Sequence, residues 1–402
     1  MNSDEKLTQY TDCCIVGSGP AGAVLALLLA RQGVSVTLLE AQKDFDRDFR
    51  GDSLHAVVME LMDELGLADR LLELKHTKLG SISVQGNTKS SAVADFSRLK
   101  SRYPYITLIP NQHFIEFITN EAKCYPNFNL VMGAKVQKLI EEDGQICGVG
   151  YHGPNGWQEV RASLTIGADG RSSRTRSLAG FKPVKTSPSS DILWFRLPRN
   201  PDEPDGVVLR IGDGSILGMA DRCDYWQISY IIPKGSYPQL RNDGIESLQK
   251  AITKLAPELS DRVSLLKDWT QCTLLSVEAS RLPQWYQPGL LLIGDAAHVM
   301  SPFGGVGISY AIQDAIAAAN VLSTPLKTGK LKLQHLAKVQ HLRDLPTRLI
   351  QGYQVLVQNQ LVAAARVSEP SPLANLIAQI PVLRDIPSQL IAFGLWPARL
   401  KN

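Results

Sequence analysis

The chain has 402 residues, of which 44% are hydrophobic and 20% charged, and a formal net charge of +3. That length allows two or three domains, and the composition is globular, with ample apolar residue for a core. The small net charge makes no electrostatic case for a nucleic-acid partner, and no run reaches the ~18 apolar residues of a membrane span.

The six cysteines show neither metal-binding nor redox spacing. Cys13 and Cys14 adjoin within a strand and the others are scattered, as expected of reduced, buried thiols, so no metal site is expected. The opening MNSDEKLTQYTD is polar and acidic, unlike a secretory leader. A soluble, cytoplasmic protein is expected.

Residues 14–40 read CIVGSGPAGAVLALLLARQGVSVTLLE. Asp12–Val16 predicts a short buried strand. Gly17, Gly19 and Gly22 follow at the spacing G-x-G-x-x-G, with Pro20 and Ala21 between the last two. Ala23–Ala30 predicts a helix that Arg31, Gln32 and Gly33 close. Val34–Leu39 predicts the second strand, which ends at Glu40. In this β-α-β unit Gly17 permits the tight turn, Gly19 lets backbone approach a pyrophosphate, and Gly22 lets helix and strand pack closely. The helix N-terminus offers N–H groups and positive dipole to phosphate, and Glu40 would accept from ribose hydroxyls. The ligand is a dinucleotide; this unit leaves FAD and NAD both open.

Ser53–Leu67 has helical apolar spacing and stops at Gly66, and Asn111–Cys124 predicts another helix with Asn111 as its N-cap. Three strands follow at about 136–141, 146–152 and 157–162, with turns at Asp143-Gly144 and Asn155-Gly156. This meander suits a plain NAD dehydrogenase poorly. Leu164–Gly167 then predicts a buried strand.

From about Pro183 the texture becomes antiparallel: 191–197, 207–212, 215–219 and 225–232, with a turn at Asp213-Gly214. Ile245–Leu255 predicts a helix and Cys272–Glu278 a returning strand. The expected fold is α/β: a Rossmann-like dinucleotide domain in two parts, 1–182 and 275–325. An antiparallel β-sheet substrate domain is inserted at 183–274, and a helical, basic C-terminal region covers 326–402.

Two further motifs lie in the nucleotide parts. GADGRSSRTR at 167–176 carries Asp169-Gly170, Ser173 and Arg176 in the pattern D-G-x-x-S-x-x-R. GDAAHVMSPFGGVG at 294–307 places Gly294-Asp295 after an aliphatic strand, where Asp295 would accept hydroxyl hydrogens. Gly304, Gly305 and Gly307 then open a helix whose N-terminus favours something anionic or electron-rich.

These three motifs, in this order, resemble the signatures of class A flavin monooxygenases, the para-hydroxybenzoate-hydroxylase-like enzymes, over residues 12 to about 325. RGDSLH, LWFRLPR and YWQISYIIPKG look like bacterial FAD-dependent oxidoreductases of this kind. The resemblance implies FAD as cofactor, with Glu40 on the adenosine ribose and Asp295 on the ribityl chain. Arg50 matches an arginine near the pyrophosphate and the nicotinamide approach, and Gln112 a glutamine on the flavin-side sugar chain. Asp169 and Gly170 are linked with both FAD and NAD(P)H. Pro302 would lie by the flavin C4a edge, and backbone N–H groups of Gly307, Ile308 and Ser309 would bond the pyrimidine end. Ser309 stands where the family usually has Asn. His298 is expected to hydrogen-bond structurally.

The implied activity uses NAD(P)H and O2 to hydroxylate an aromatic or polyketide-like small molecule through a flavin C4a-hydroperoxide. On the inserted sheet Trp194 and Arg196 share one strand face, and Trp226 and Tyr230 share another; these four are the candidate substrate residues, with sheet core as the competing reading. A flavin reductase of a lipid-like substrate, of the geranylgeranyl-reductase kind, is the alternative enzyme, because the tail from Leu373 is apolar. A non-enzymatic binder of prenylated partners is disfavoured by the intact Gly17, Gly19, Gly22, Glu40 and Asp295 set. A halogenase is disfavoured because YWQISYIIP lacks the second Trp of W-x-W-x-I-P.

Overall fold

The computed structural model describes residues 7–45, 52–186, 190–203, 206–222, 224–370 and 384–401. Arg50, and the part of the apolar tail that falls at 371–383, lie outside the described residues.

An eight-stranded sheet carries the nucleotide side of the molecule. Its parallel centre runs Leu290–Leu292, Gly156–Gly167, Leu7–Val16, Val36–Glu40, Phe128–Met132. The strand Leu7–Val16 sits in the middle, buried through Cys13, Cys14 and Ile15. Both its faces need apolar side chains, which explains the unbroken run. The helix Pro20–Arg31 packs on this sheet, and ten of its residues, Ala21 to Ala30, are buried. The helix Gly307–Lys327 lies beside it, so one core joins the first and third motifs.

The hairpins Lys135–Glu142, Gln145–Gly153 and Gly156–Gly167 form the meander. Asp143 and Gly144 both have positive φ, 50° and 75°, as do Asp213 and Gly214, also 50° and 75°. These are the turn conformations that match strand twist, and Asp-Gly is suited to them. The segment 164–167 is the end of the long strand Gly156–Gly167 rather than a separate one.

A seven-stranded sheet forms the second layer: Thr273–Leu275, Ser190–Pro198, Tyr225–Pro233, Ser215–Asp221, Val207–Gly212, Ser81–Gln85, Ser90–Asp95. It draws on both sides of the expected boundary at 183, because Val207–Gly212 pairs in parallel with Ser81–Gln85. The returning strand is shorter than expected, Thr273–Leu275. The helix Asn111–Ala122 is capped by Pro110, not by Asn111, which is its first helical residue and whose Oδ1 is buried without a partner. Proline is suited to a helix entrance because its φ is already set and no N–H is lost. The expected helix from Ser53 is Ala56–Glu64; Ser53 and Leu54 instead pair with Leu108 and Thr107.

The chain ends in a 35-residue helix, Leu333–Val367, and a short helix Ile386–Ala392. The long helix packs on the seven-stranded sheet through Leu361, Ala364 and Ala365 against Ile211 and Ile216. Among the described residues no helix is long and apolar enough to cross a membrane.

Candidate functional site

The glycine loop separates two kinds of requirement. A Cβ on Gly17 would lie 2.6 Å from the carbonyl oxygen of Ala168, and one on Gly22 would lie 2.0 Å from the carbonyl oxygen of Gly17. The protein itself demands these two glycines. A Cβ on Gly19 would meet nothing nearer than 4.0 Å. Gly19 therefore borders open space beside the helix N-terminus that begins at Pro20 and Ala21. Glu40 is buried, and its Oε2 accepts from Ser18 N at 3.0 Å and Ser18 Oγ at 2.7 Å, while its Oε1 accepts from Gln42 N at 2.9 Å. Glu40 therefore braces the glycine loop.

The second motif acts as a brace for the third. Asp169 accepts from Ser173 Oγ at 2.5 Å and Thr175 N at 2.8 Å, and Ser173 Oγ caps the helix Arg174–Leu178 by accepting from Arg176 N at 2.9 Å. Arg176 then donates to the carbonyls of Asp295 at 3.3 Å and Ala296 at 3.1 Å. The D-G-x-x-S-x-x-R pattern thus holds the Gly294-Asp295 turn from behind. Gly170 has φ +78° and open space around it.

Gly294 adopts φ +59°, and its N–H donates to Asp314 Oδ2 at 3.0 Å. Asp314 is fully buried and also receives His298 Nε2 at 2.6 Å and Arg343 Nε at 3.0 Å. Burial pushes the Asp314 carboxyl up, but His298, Arg343 and the Gly294 amide outweigh it and hold it below the ordinary carboxylate range. His298 serves this buried network. Asp295 itself points elsewhere: among the described residues no donor reaches its carboxylate. Burial pushes its pKa up, against the pull of Arg171, His298 and Arg176. A carboxylate left without donors beside the glycine loop suits ligand hydroxyls.

The turn after Pro302 uses Gly304 at φ +80° and Gly305 at φ +64°. A Cβ on Gly305 would lie 3.4 Å from Ser53 Oγ and 3.9 Å from His55 Nε2. The helix Gly307–Lys327 starts here, so the N–H groups of Gly307, Ile308 and Ser309 are first-turn donors without helical acceptors. Ser309 Oγ is bonded to His55 Nδ1 at 2.9 Å. His55 is wholly buried, and desolvation lowers its pKa to about 4, so it is a neutral imidazole. Gln112 lies in the first turn of Asn111–Ala122, its Nε2 donating to Glu116 at 3.4 Å.

The structure separates the four candidate substrate residues. Trp226 and Tyr230 are 2% and 7% exposed and pack with Leu193, Phe195, Leu248 and Ile252 under the helix Ile245–Leu255. Trp226 Nε1 donates to Glu203 at 2.7 Å. These two belong to the sheet's helix-covered core, which corrects their assignment to a shared pocket. Trp194 and Arg196 stand on the opposite face, because Leu193 and Phe195 between them fill that core. Trp194 clusters with Ile192 and Ile231, and Ile231 in turn with Leu209 and Phe303, the residue after Pro302. Strand alternation is reliable within each strand; the register between strands, which sets Trp194 opposite Ser229, decided the faces.

Sequence reasoning missed Asp314, His55, Gln354 and the pair Asp52–Arg222, whose Oδ2 and Nε lie 2.8 Å apart and tie the segment before Ser53 to the seven-stranded sheet. Burial pushes the Asp52 carboxyl up and Arg222 offsets this. The only sequence signal among these was the row Gln351, Gln354, Gln358 on one helix face.

The open backbone position at Gly19, the buried carboxylate of Glu40, an Asp295 carboxylate that no described residue donates to and the helix N-terminus at Gly307 fit FAD. Residues 10–341 match the family described as FAD binding domain. The chain is 32% identical over 397 residues to 6-methylpretetramide 4-monooxygenase of Streptomyces rimosus, covering 98% of this chain and 94% of that protein. The fold matches p-nitrophenol 4-monooxygenase of Pseudomonas putida DLL-E4 with a TM-score of 0.78 at 20% identity, over 98% of this chain and 100% of that one. It also matches the anhydrotetracycline hydroxylase of Streptomyces rimosus with a TM-score of 0.75 at 22% identity, over 96% and 76%. The chain belongs to the class A FAD-dependent monooxygenases of the FAD-binding family.

Proposed function

We propose that this enzyme takes electrons from NADH or NADPH and hydroxylates a flat, multi-ring phenolic compound of polyketide type. The observation that carries the substrate class is the row Trp194, Ser229, Gly218 across three paired strands, on the sheet face that also bears Ile231. A Cβ on Gly218 would lie 2.3 Å from Ser229 Oγ, so the row stays flat only with glycine there. A flat floor with Trp194 at one side suits stacking against a planar ring system, and Arg196 at the strand's end suits an ionised phenol. The near full-length match to a 6-methylpretetramide monooxygenase supports the same class.

Bound FAD supplies the redox chemistry: electrons from the nicotinamide, and activation of O2. The chain's own residues bind and orient. Gly19 and the helix from Pro20 would receive the pyrophosphate, Glu40 the adenosine ribose and Asp295 the ribityl hydroxyls. The N–H groups at Gly307–Ser309 would bond the pyrimidine edge and stabilise negative charge there. The seven-stranded sheet would close over the ring and exclude water. Arg50 and the open backbone at Gly170 are assigned to the nicotinamide approach. The reaction balances as R–H + O2 + NAD(P)H + H+ giving R–OH + NAD(P)+ + H2O.

The test is NAD(P)H oxidation with a panel of fused-ring phenols, followed by mass spectrometry of product made under 18O2. One labelled oxygen per product is expected. Unlabelled product that forms equally well without oxygen would overturn hydroxylation in favour of reduction.

A further inference from the structure

We propose that Gln354, on the C-terminal helix Leu333–Val367, is a positioning residue of the flavin site. Its side-chain amide sets the backbone of residues 301–303 and thereby aims Pro302 and the turn Gly304–Gly307. This inference rests on FAD binding and is independent of the hydroxylation reading.

The inner face of a helix packed on a protein body is ordinarily apolar. Here it carries Gln351, Gln354 and Gln358, which are 7%, 3% and 3% exposed. A buried amide is costly unless it is hydrogen-bonded, so each needs a reason. Gln354 Nε2 donates to the carbonyl oxygens of Ser301 and Phe303, both at 2.7 Å. One turn earlier, Gln351 Nε2 donates to the carbonyls of Ser280 and Val299, both at 3.1 Å. The two hydrogens of each amide thus meet two carbonyls, and the reversed amide would set oxygen against oxygen.

Between the two carbonyls that Gln354 holds lies Pro302, whose own carbonyl accepts from Gly305 N at 3.0 Å. All three successive carbonyls of 301–303 are therefore engaged within the protein, and Pro302 has no N–H to offer. The Gln354 amide thus fixes the direction of the carbonyls on either side of Pro302, and with them the backbone that the flavin edge would meet. The same helix also reaches the substrate sheet: Ala365 O accepts from Gly214 N at 2.9 Å. The loop beside the flavin is thus set by an element that also holds the sheet.

The experiment compares purified holoenzyme of the wild type with Gln354→Met, Gln354→Glu and Gln358→Met. Methionine keeps the volume and loses the donors; glutamate keeps the shape and adds an acceptor. Gln358 shares the buried face, but its Nε2 has no partner, so it controls for loss of a buried amide. FAD dissociation constants and the reduction potential of bound FAD are measured without any substrate. A roughly tenfold weaker FAD affinity and a more negative potential are expected in Gln354→Met, larger in Gln354→Glu, with Gln358→Met at wild-type values. Folded Gln354→Met with wild-type affinity and potential, even if less heat-stable, would overturn the proposal and leave Gln354 a packing residue. If neither Gln354 variant folds, Gln354→Asn, whose amide sits one methylene further from the carbonyls, carries the same two outcomes.

Discussion

The loop Gly17–Gly22 and the loop Ser301–Ser309 lie at opposite ends of the expected flavin, and they are held in different ways. The first is shaped mostly by neighbours in sequence: Gly22 packs on Gly17, Gly17 N bonds Leu39 O at 2.7 Å, and Ser18 bonds Glu40. The second is shaped from far away, by His55 on Ser309, by Ser53 against Gly305, and by Gln354 on Ser301 and Phe303. A loop held by its own flanks has a motif. A loop held by two distant segments shows only glycines, and its supports look like ordinary residues elsewhere.

The sharpest way to break this contrast lies within the first loop. Gly22→Val forces a Cβ against backbone at 2.0 Å and should cost more than about 4 kcal/mol, giving no folded protein. A Cβ at Gly19 comes no nearer than 4.0 Å to any protein atom beyond its chain neighbours, so Gly19→Val should fold with near wild-type thermal stability as apoprotein, yet purify colourless. Tightly bound FAD in Gly19→Val would mean that this loop does not face the pyrophosphate.

Asp314 tests the distant network behind the third motif. Asp314→Ala leaves Arg343 and the Gly294 amide unpaired in the interior and should cost about 3–5 kcal/mol in urea denaturation. The folded carboxyl is held below its ordinary value, so its contribution is present above the unfolded pKa and is lost as pH falls through the folded one. Asp314→Ala should therefore show a shallower loss of stability below about pH 4. Equal acid sensitivity in both proteins would assign the acid transition to other carboxylates.

His55 sharpens the comparison from the side of the second loop. Its pKa falls from 6.5 to about 4 by burial, so the unfolded chain binds more protons between those values. Stability should drop by about 3 kcal/mol as pH falls through that window and be fully present above it. His55→Gln should flatten the drop; a wild-type stability unchanged from pH 7 to pH 5 would show that the imidazole protonates without cost.

The smallest effect is expected at Asp295, to whose carboxylate no described residue donates a hydrogen bond. Asp295→Ala should leave thermal stability of the apoprotein unchanged and weaken FAD by one to two decades, the worth of about 1.5–3 kcal/mol for hydrogen bonds to a charged acceptor. Fluorescence titration checks this, and unchanged affinity would mean the carboxylate meets no hydroxyl.

Much of the fold was legible because its signals are local. The β-α-β unit at 12–40, the Asp-Gly hairpins and the antiparallel run after Pro183 each follow from a period, a turn residue or a cap. The site was legible where a motif carries its own reason. Asp169 is instructive: read as a ligand residue, it is engaged through Ser173 and Thr175, and the motif's Arg176 reaches the Asp295 turn instead. The pattern was recognisable while its mechanical role was not.

The amino-acid sequence by itself determined the glycine loop and the acid at the end of the second strand, which depend on spacing along one chain segment, and the family, whose three motifs follow in order along the chain. Only the tertiary structure decided which face of the inserted sheet turns to Phe303. Alternation orders the residues of one strand, but the pairing of Leu193 with Tyr230 and of Trp194 with Ser229 arises between strands. It also decided that the basic C-terminal helix reaches the backbone on either side of Pro302. Two of its buried glutamines, Gln351 and Gln354, read as polar surface until the carbonyls that offset their burial are seen to come from residues about 50 to 70 positions earlier.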